Sequence, residues 1–287
     1  MIYDCFTFFN ELDLLEIRMN TLNSVVDKFV LVEATRTHQG KEKPLHYAEN
    51  KARYAAFADK IIHVVVDEYP PYEGESAWVL EHHQRNMISK GLKDCKPNDT
   101  VLISDVDEIP DPKQILHFKD KSGIKIFRQK MYYYFINCMS ATYSSSYRWN
   151  GTIMANYNKL GRIQDLRELS MQLSSVFHVK TINRIYWRLW KLRNTTLKGK
   201  KIVFIPDGGW HFSYLGGEEM ILKKLEAFAH TEYNKAEYKN IETIRKAIKN
   251  GDDIFGRDFR YKNVPLDNSF PKYIVENKQK FARLISE

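Results

Sequence analysis

The run Val101-Leu102-Ile103-Ser104-Asp105-Val106-Asp107-Glu108-Ile109-Pro110 constrains this chain more than any other segment. An apolar stretch that passes directly into acidic residues reads as a buried strand with carboxylates at its carboxyl end. Side chains alternate along a strand, so Asp105 and Asp107 point the same way and can grip one hard cation between them. In an open α/β sheet ligands collect where strands end, and a cation there faces a bound nucleotide diphosphate. A solvated acidic turn after a strand has the same local signature, and the pair alone does not separate the two readings.

The surrounding pattern places that strand in a fold. Ile2 to Phe9 is apolar and aromatic, and Asn10 with Asp13 three residues on resembles a helix cap before Leu15, Met19, Leu22 and Val26 at helical spacing. Phe29 to Val32 and Ile61 to Val66 are compact runs suited to buried strands, each ending in acidic residues. Ser76 to Leu92 reads as one helix with Glu81 and Arg85 a turn apart, closing at Gly91. This alternation predicts an α/β fold with a mainly parallel central sheet and helices on both faces.

Beyond Pro110 the pattern changes to a long strand-like segment, Ile124 to Ile136, and then a Ser/Tyr/Asn-rich region from Ser140 to Asn158 that predicts a loop or lid. Ile202 to Ile205 predicts a strand before the turn Pro206-Asp207-Gly208-Gly209, with helices around Met220 to His230 and Ile241 to Ile248. With no repeat or linker in view, the expectation is one catalytic domain over 1–287, its nucleotide-binding half at 1–110 and its acceptor-side half at 111–287.

A chain of 287 residues with 43% hydrophobic and 28% charged side chains can bury a substantial core. No window approaches the roughly 18 consecutive apolar residues of a membrane span, and Met1 leads into a strand-like run without a signal-peptide pattern. A cytoplasmic setting is expected, with Cys5, Cys95 and Cys138 as reduced thiols. The net charge of +8 suits anionic ligands, among them nucleotide sugars, lipid headgroups and nucleic acid.

Several residues could serve a site of this kind. His211, just after a strand and a glycine turn, could add a nitrogen to the cation shell of Asp105 and Asp107, a mixture that Mn²⁺ tolerates better than Mg²⁺. It could equally be a structural histidine in a turn. Arg85 could reach a diphosphate with its forked donors or simply pair with Glu81. Tyr132, Tyr133, Tyr134, Trp149 and Trp210 could stack on sugar rings or on a base, although many such side chains only pack a core. Lys180 to Lys201 holds eight basic residues and no acidic one, which fits an anionic membrane surface, a phosphorylated acceptor, RNA or plain solvation.

The segments Phe9-Asn10-Glu11-Leu12-Asp13-Leu14-Leu15-Glu16-Ile17-Arg18, Val32-Glu33-Ala34-Thr35, Lys43-Pro44-Leu45, Gln84-Arg85-Asn86, Asp105-Val106-Asp107-Glu108, Met131-Tyr132-Tyr133-Tyr134 and Gly209-Trp210-His211 occur in an order that resembles glycosyltransferase family 17. The resemblance runs over nearly the whole chain, including Asn268 to Leu284. It implies a GT-A type nucleotide-diphospho-sugar fold, a divalent metal, a UDP-sugar donor (UDP-N-acetylglucosamine in known members) and inversion at the anomeric carbon. It further implies Asp105 and Asp107 at the metal and diphosphate, and Glu33 and Thr35 near the nucleoside. The sequence departs from the animal members in lacking an amino-terminal anchor and stem, in having Phe212 where Cys is common, and in the basic stretch from Arg184 to Lys201.

The expected reaction is metal-dependent glycosyl transfer to a glycan or glycolipid, with Asp105, Asp107 and His211 on Mn²⁺ (or Mg²⁺), and Arg85, Glu33 and Thr35 on the donor. Tyr133, Trp149 and Trp210 are the candidate acceptor platforms. Inversion needs a carboxylate to take the acceptor proton, for which Asp207, Glu218 and Glu219 are the candidates. Lys180 to Lys201 could make a peripheral membrane contact, and nucleic acid is not the expected partner. Two rival readings are a metal-dependent phosphohydrolase, whose nucleophilic Asp usually lies near the chain start, and a non-enzymatic carbohydrate- or RNA-binding protein, which leaves the Asp pair without a role.

Overall fold

The computed structural model describes residues 1–73, 76–141, 148–176, 201–235 and 237–286. The basic segment Lys180 to Lys201 therefore lies, up to residue 200, outside the described residues. Among the described residues the strands are β1 (Ile2–Phe8), β2 (Lys28–Ala34), β3 (Ile61–Val66), β4 (Thr100–Asp105), β5 (Glu108–Pro110), β6 (Ile124–Tyr133), β7 (Cys138–Ser140), β8 (Trp149–Asn156), β9 (Ile202–Ile205), β10 (Gly209–Ser213) and β11 (Tyr261–Asn263). The helices are α1 (Leu12–Leu22), α2 (His46–Glu49), α3 (Ala77–Asn86), α4 (Pro112–Phe118), α5 (Ile163–Val176), α6 (Gly217–Ala227), α7 (Ile241–Asn250) and α8 (Lys272–Glu276).

The expected α/β class is present, but the sheet is mixed. Strands run in the order β11-β7-β6-β8-β4-β1-β2-β3. The β4-β1-β2-β3 portion is parallel, as the early alternation predicts. From β4 onward the pairing turns antiparallel through β8 to β6. Both β9 and β10 then lie parallel to β6 along its length, and β5 closes antiparallel on β10.

The main departure from expectation is β8. Its residues fall within the stretch read as a loop or lid, yet Trp149–Asn156 sits between β4 and β6. Covered on both faces, it lacks the alternation that marks a half-exposed strand, and its polar residues are buried with partners: Thr152 Oγ1 donates to the Glu108 carbonyl at 3.0 Å. Residues 142–147 of the same stretch lie outside the described residues.

The helix expected over Ser76 to Leu92 is α3 followed by a 3₁₀ segment over Met87–Leu92. Gly91 is there for packing, since a Cβ would stand 2.3 Å from Val30 Cγ1. At α1 the cap position is Glu11, not Asn10, and its side chain turns back to the amides of Phe9 and Asn10.

Two apolar layers cover the parallel portion. One face packs Cys5, Val30, Val101 and Ile103 against Ile88, Leu166 and Leu169. The other packs Phe6, Phe29, Leu31 and Leu102 against Leu15, Met19 and Leu22 of α1. Into that second layer Arg18 and Asp4 intrude, both fully buried. No helix among the described residues is long and apolar enough to cross a membrane.

Candidate active site

At the carboxyl ends of β1, β2 and β4 lies a cleft of about 1030 Å³, counting the space open to solvent. Its walls come from both halves of the chain. Thr7, Glu11, Arg36, His38, Lys43, Arg85, Asp105 and Asp107 face Trp149, Arg167, Met171, Lys224 and the Ala227–His230 segment. The two sides are tied where His38 N donates to the Ala227 carbonyl at 3.0 Å and where the Trp78 and His230 rings meet edge to face at 4.6 Å.

Asp105 ends β4 and Asp107 lies in the turn to β5, and both enter this cleft. Their immediate partners differ. Asp105 accepts from Arg85 Nη2 at 3.1 Å and Thr7 Oγ1 at 3.2 Å through Oδ1, and from Arg167 Nη2 at 3.0 Å through Oδ2. Asp107 Oδ2 accepts from Lys224 Nζ at 3.0 Å and lies 3.7 Å from His211 Nε2. Strand alternation stops at Asp105, because Val106 and Asp107 form the turn, so the two carboxylates are not a symmetric pair.

These contacts dominate the electrostatics. Burial alone would raise the Asp105 carboxyl, but Arg167 and Arg85 outweigh it and hold the group well below the usual carboxylate range. Burial opposes ionisation of Asp107 too, and Lys224 and His211 reverse it. Lys224 responds in kind: burial would lower it, and Asp107 raises it. Both acids are thus anionic at neutral pH, within a cation-rich cleft.

The turn is held from below by three buried groups. Arg18 donates through Nη1 to the carbonyls of Asp105, Val106 and Glu108 at 3.1, 3.3 and 2.8 Å. Glu108 is clamped by Arg167, whose Nη1 reaches Oε2 at 2.7 Å, and accepts from Trp149 Nε1 at 2.6 Å. Opposite the turn, Gly209 has φ +128° and a Cβ there would stand 2.2 Å from the Ile109 carbonyl. Glycine therefore lets β10 close on β5, which sets His211 opposite Glu108 in register.

A family model described as glycosyltransferase family 17 matches residues 1–179. The chain belongs to glycosyltransferase family 17. The family 17 chain is 23% identical to the beta-1,4-mannosyl-glycoprotein 4-beta-N-acetylglucosaminyltransferases of Rattus norvegicus and of Homo sapiens, with 96% of its own length and 53% of theirs aligned. It therefore spans about half the length of these relatives. A solved structure, the mannosyltransferase PcManGT from Pyrobaculum calidifontis in complex with GDP-Man and Mn²⁺, overlaps 89% of this chain and 66% of its own at 10% identity, with a TM-score of 0.43.

Within this family 17 chain the residues named from sequence divide. Asp105, Asp107, Arg85 and Trp149 line the cleft, and His211 lies just behind Asp107, with the Trp149 ring 4.8 Å from its imidazole. Arg85 pairs with Glu81 at 2.7 Å, as one of its two readings has it, and its other contact at that nitrogen is Asp105 at 3.1 Å.

The others sit elsewhere. Glu33 is sealed beneath the cleft, accepting from Tyr47 N at 2.9 Å and lying 3.1 Å from His63 Nε2, while Thr35 Oγ1 meets Tyr69 Oη at 3.0 Å. The cleft is lined instead by the next residues along, Arg36 to His38. Trp210 alternates with His211 and so faces the other way, its indole donating to the Ser269 carbonyl at 2.9 Å. Tyr133 is buried and stacked on Tyr261 at 4.6 Å.

None of the three base candidates lines the cleft. Asp207, with a 69% exposed side chain, stands 3.8 Å from Arg148. Glu218 pairs with Arg245 at 3.0 Å, and Glu219 beside it occupies the first turn of α6. Sequence reasoning overlooks Arg18, Arg167, Lys224 and Glu108. Only Arg18 carried a signal, as a charge placed among the apolar positions Leu14, Leu15, Ile17 and Leu22 of an amphipathic helix.

Proposed function

We propose that this family 17 chain transfers N-acetylglucosamine from a UDP-sugar to a hydroxyl of a glycan or glycolipid, in a GT-A type fold, with a divalent ion and inversion at the anomeric carbon. One observation carries the reading: in the turn after β4, Asp107 enters a cleft rich in cations, and its Oδ2 lies 3.7 Å from Nε2 of His211 just behind it. Two donors bonded to one ion at about 2.1 Å each lie roughly 3 to 4 Å apart, so this spacing suits a shared ion. A carboxylate with an imidazole is a donor set that Mn²⁺ accepts. Asp107 and His211 would supply two positions, with the others left to donor phosphate oxygens and water.

When bound, the ion supplies charge neutralisation to the departing diphosphate. The side chains do the rest. Arg85 and Arg167 hold Asp105 as an anion. Lys224 adds a fixed positive charge next to the leaving group. Arg36, Thr37 and His38, just past β2, line the cleft where the nucleoside would lie, and Trp149 covers His211.

Calorimetric titration with UDP, with and without Mn²⁺, tests the reading. Tight UDP binding only in the presence of Mn²⁺, accompanied by slow UDP release from UDP-N-acetylglucosamine, supports it. Binding indifferent to the metal removes the ion from the scheme. Absence of UDP binding removes the donor.

A further inference from the structure

We infer that Glu11 is the general base of the transfer, taking the proton of the incoming hydroxyl at the boundary between the donor cleft and a second cleft that admits the acceptor. The inference rests on the glycosyl-transfer reading above. Inversion requires the nucleophile to meet the donor sugar from the side opposite the diphosphate, so the donor site must open into a second space. Such a space exists beside the first, lined by Asn10, Asp13, Arg53, Tyr214, Met220 and Arg283. Two residues line both clefts, Glu11 and Lys224. One is a carboxylate, the other an ammonium, and they sit where an oxygen that loses a proton and an oxygen that gains charge have to be served together.

The other acids of the two clefts are already committed. Asp105 is clamped by Arg85 and Arg167, Asp107 is held by Lys224, and Glu81 pairs with Arg85. In the second cleft Asp13 is bridged to Arg53 and Arg283. Glu11 is different. Its Oε2 accepts from the amides of Phe9 at 3.2 Å and Asn10 at 3.0 Å, which fixes the carboxylate. Among the described residues no ion pair to Glu11 and no donor to its Oε1 is present, so that oxygen is available for a proton. A base needs such a fixed and uncommitted acceptor.

In the step, the acceptor oxygen forms its bond to the anomeric carbon as the bond from that carbon to the phosphate oxygen breaks. The electron pair leaves with UDP. The hydroxyl proton passes to Glu11 Oε1, and Glu11 later returns it to water.

Water can replace the acceptor, so the test needs no acceptor identity: UDP release from UDP-N-acetylglucosamine with Mn²⁺ is measured alongside calorimetric UDP binding and a thermal melt. Glu11→Gln keeps an oxygen for the two amides and should lower the release rate by about 10² to 10⁴ with UDP affinity unchanged. Wild-type release in Glu11→Gln overturns the assignment. Loss of UDP affinity in that variant also overturns it, by making Glu11 a donor-binding group. If Glu11→Gln fails to fold, Glu11→Asp decides: a carboxylate drawn back by one methylene should give an intermediate rate, and a full rate overturns the role. Should the wild-type protein bind no UDP, the donor reading fails first and takes this inference with it.

Discussion

Arg18 and Asp4 meet as a fully buried bidentate pair, Nε to Oδ2 at 2.8 Å and Nη2 to Oδ1 at 2.6 Å, and the same guanidinium carries the carbonyls of the Asp105–Glu108 turn. A single side chain of α1 thus joins the middle of β1 to the candidate metal turn. Removing one partner of a buried pair leaves the other charge uncompensated, at a cost of about 3–5 kcal/mol. Arg18→Met should therefore shift the urea midpoint strongly downward, and the double variant Arg18→Met/Asp4→Leu should recover a large part of the loss. Urea titrations of the three proteins measure this. A single variant as stable as wild type would show that the pair contributes little.

Asp107 and His211 are expected to act on metal affinity ahead of stability. Losing a group that merely supports a ligand costs about 10- to 100-fold in metal affinity, and losing a ligand should cost at least as much. Asp107→Ala should abolish Mn²⁺-dependent UDP binding, and His211→Ala should weaken the Mn²⁺ titration at least tenfold. Far-ultraviolet circular dichroism should remain native in both. An unchanged Mn²⁺ titration in His211→Ala would return that residue to a packing role under Trp149.

Lys224 competes for the oxygen that faces His211. Its ammonium lies 3.0 Å from Asp107 Oδ2, on the carboxylate that would hold the ion. Like charges sharing one partner repel, so Lys224→Met should tighten Mn²⁺ binding in the absence of nucleotide and weaken UDP binding in its presence. Opposite signs in the two calorimetric titrations are the signature. Equal weakening of both would mean that Lys224 only maintains the shape of the cleft.

Much of this geometry can be read from residues in order, and the missing part has a physical cause. β1, β2, β3 and β4 stand out because each is an apolar run, and three of them lead at their carboxyl ends toward residues that reach the cleft. β8 is illegible for the opposite reason: it is buried on both faces with Asn150 and Thr152 inside, so neither alternation nor an apolar run marks it. β10 is five residues after a glycine turn, too short for a pattern. The site follows the same division. Asp105, Asp107, Arg85 and His211 lie in or beside recognisable segments. Arg167 and Lys224 reach their carboxylates from 62 and 117 residues away, and no local spacing records such a meeting. The base candidates Asp207, Glu218 and Glu219 came from turn chemistry alone, whereas Glu11 emerges only once two clefts share a wall.

A pH-dependent strap joins the two ends of the chain at Glu16. Its Oε1 accepts from Tyr273 Oη at 2.5 Å and from Lys280 Nζ, and its Oε2 accepts from Arg53 Nε at 2.8 Å. Burial alone would raise the Glu16 carboxyl, but Lys280, Tyr273 and Arg53 together bring it below its ordinary value. A carboxyl lowered on folding binds its proton less readily in the folded chain than in the unfolded one. Its contribution is therefore fully present above the unfolded value, near pH 4.3, and is lost as pH falls through the lower folded value. Melting temperature should accordingly decline from about pH 5 downward, and Glu16→Gln should be less stable at pH 7 with a shallower acid decline. Thermal melts of both proteins between about pH 3 and pH 7 provide the comparison, and parallel curves would show that Glu16 is not the titrating link.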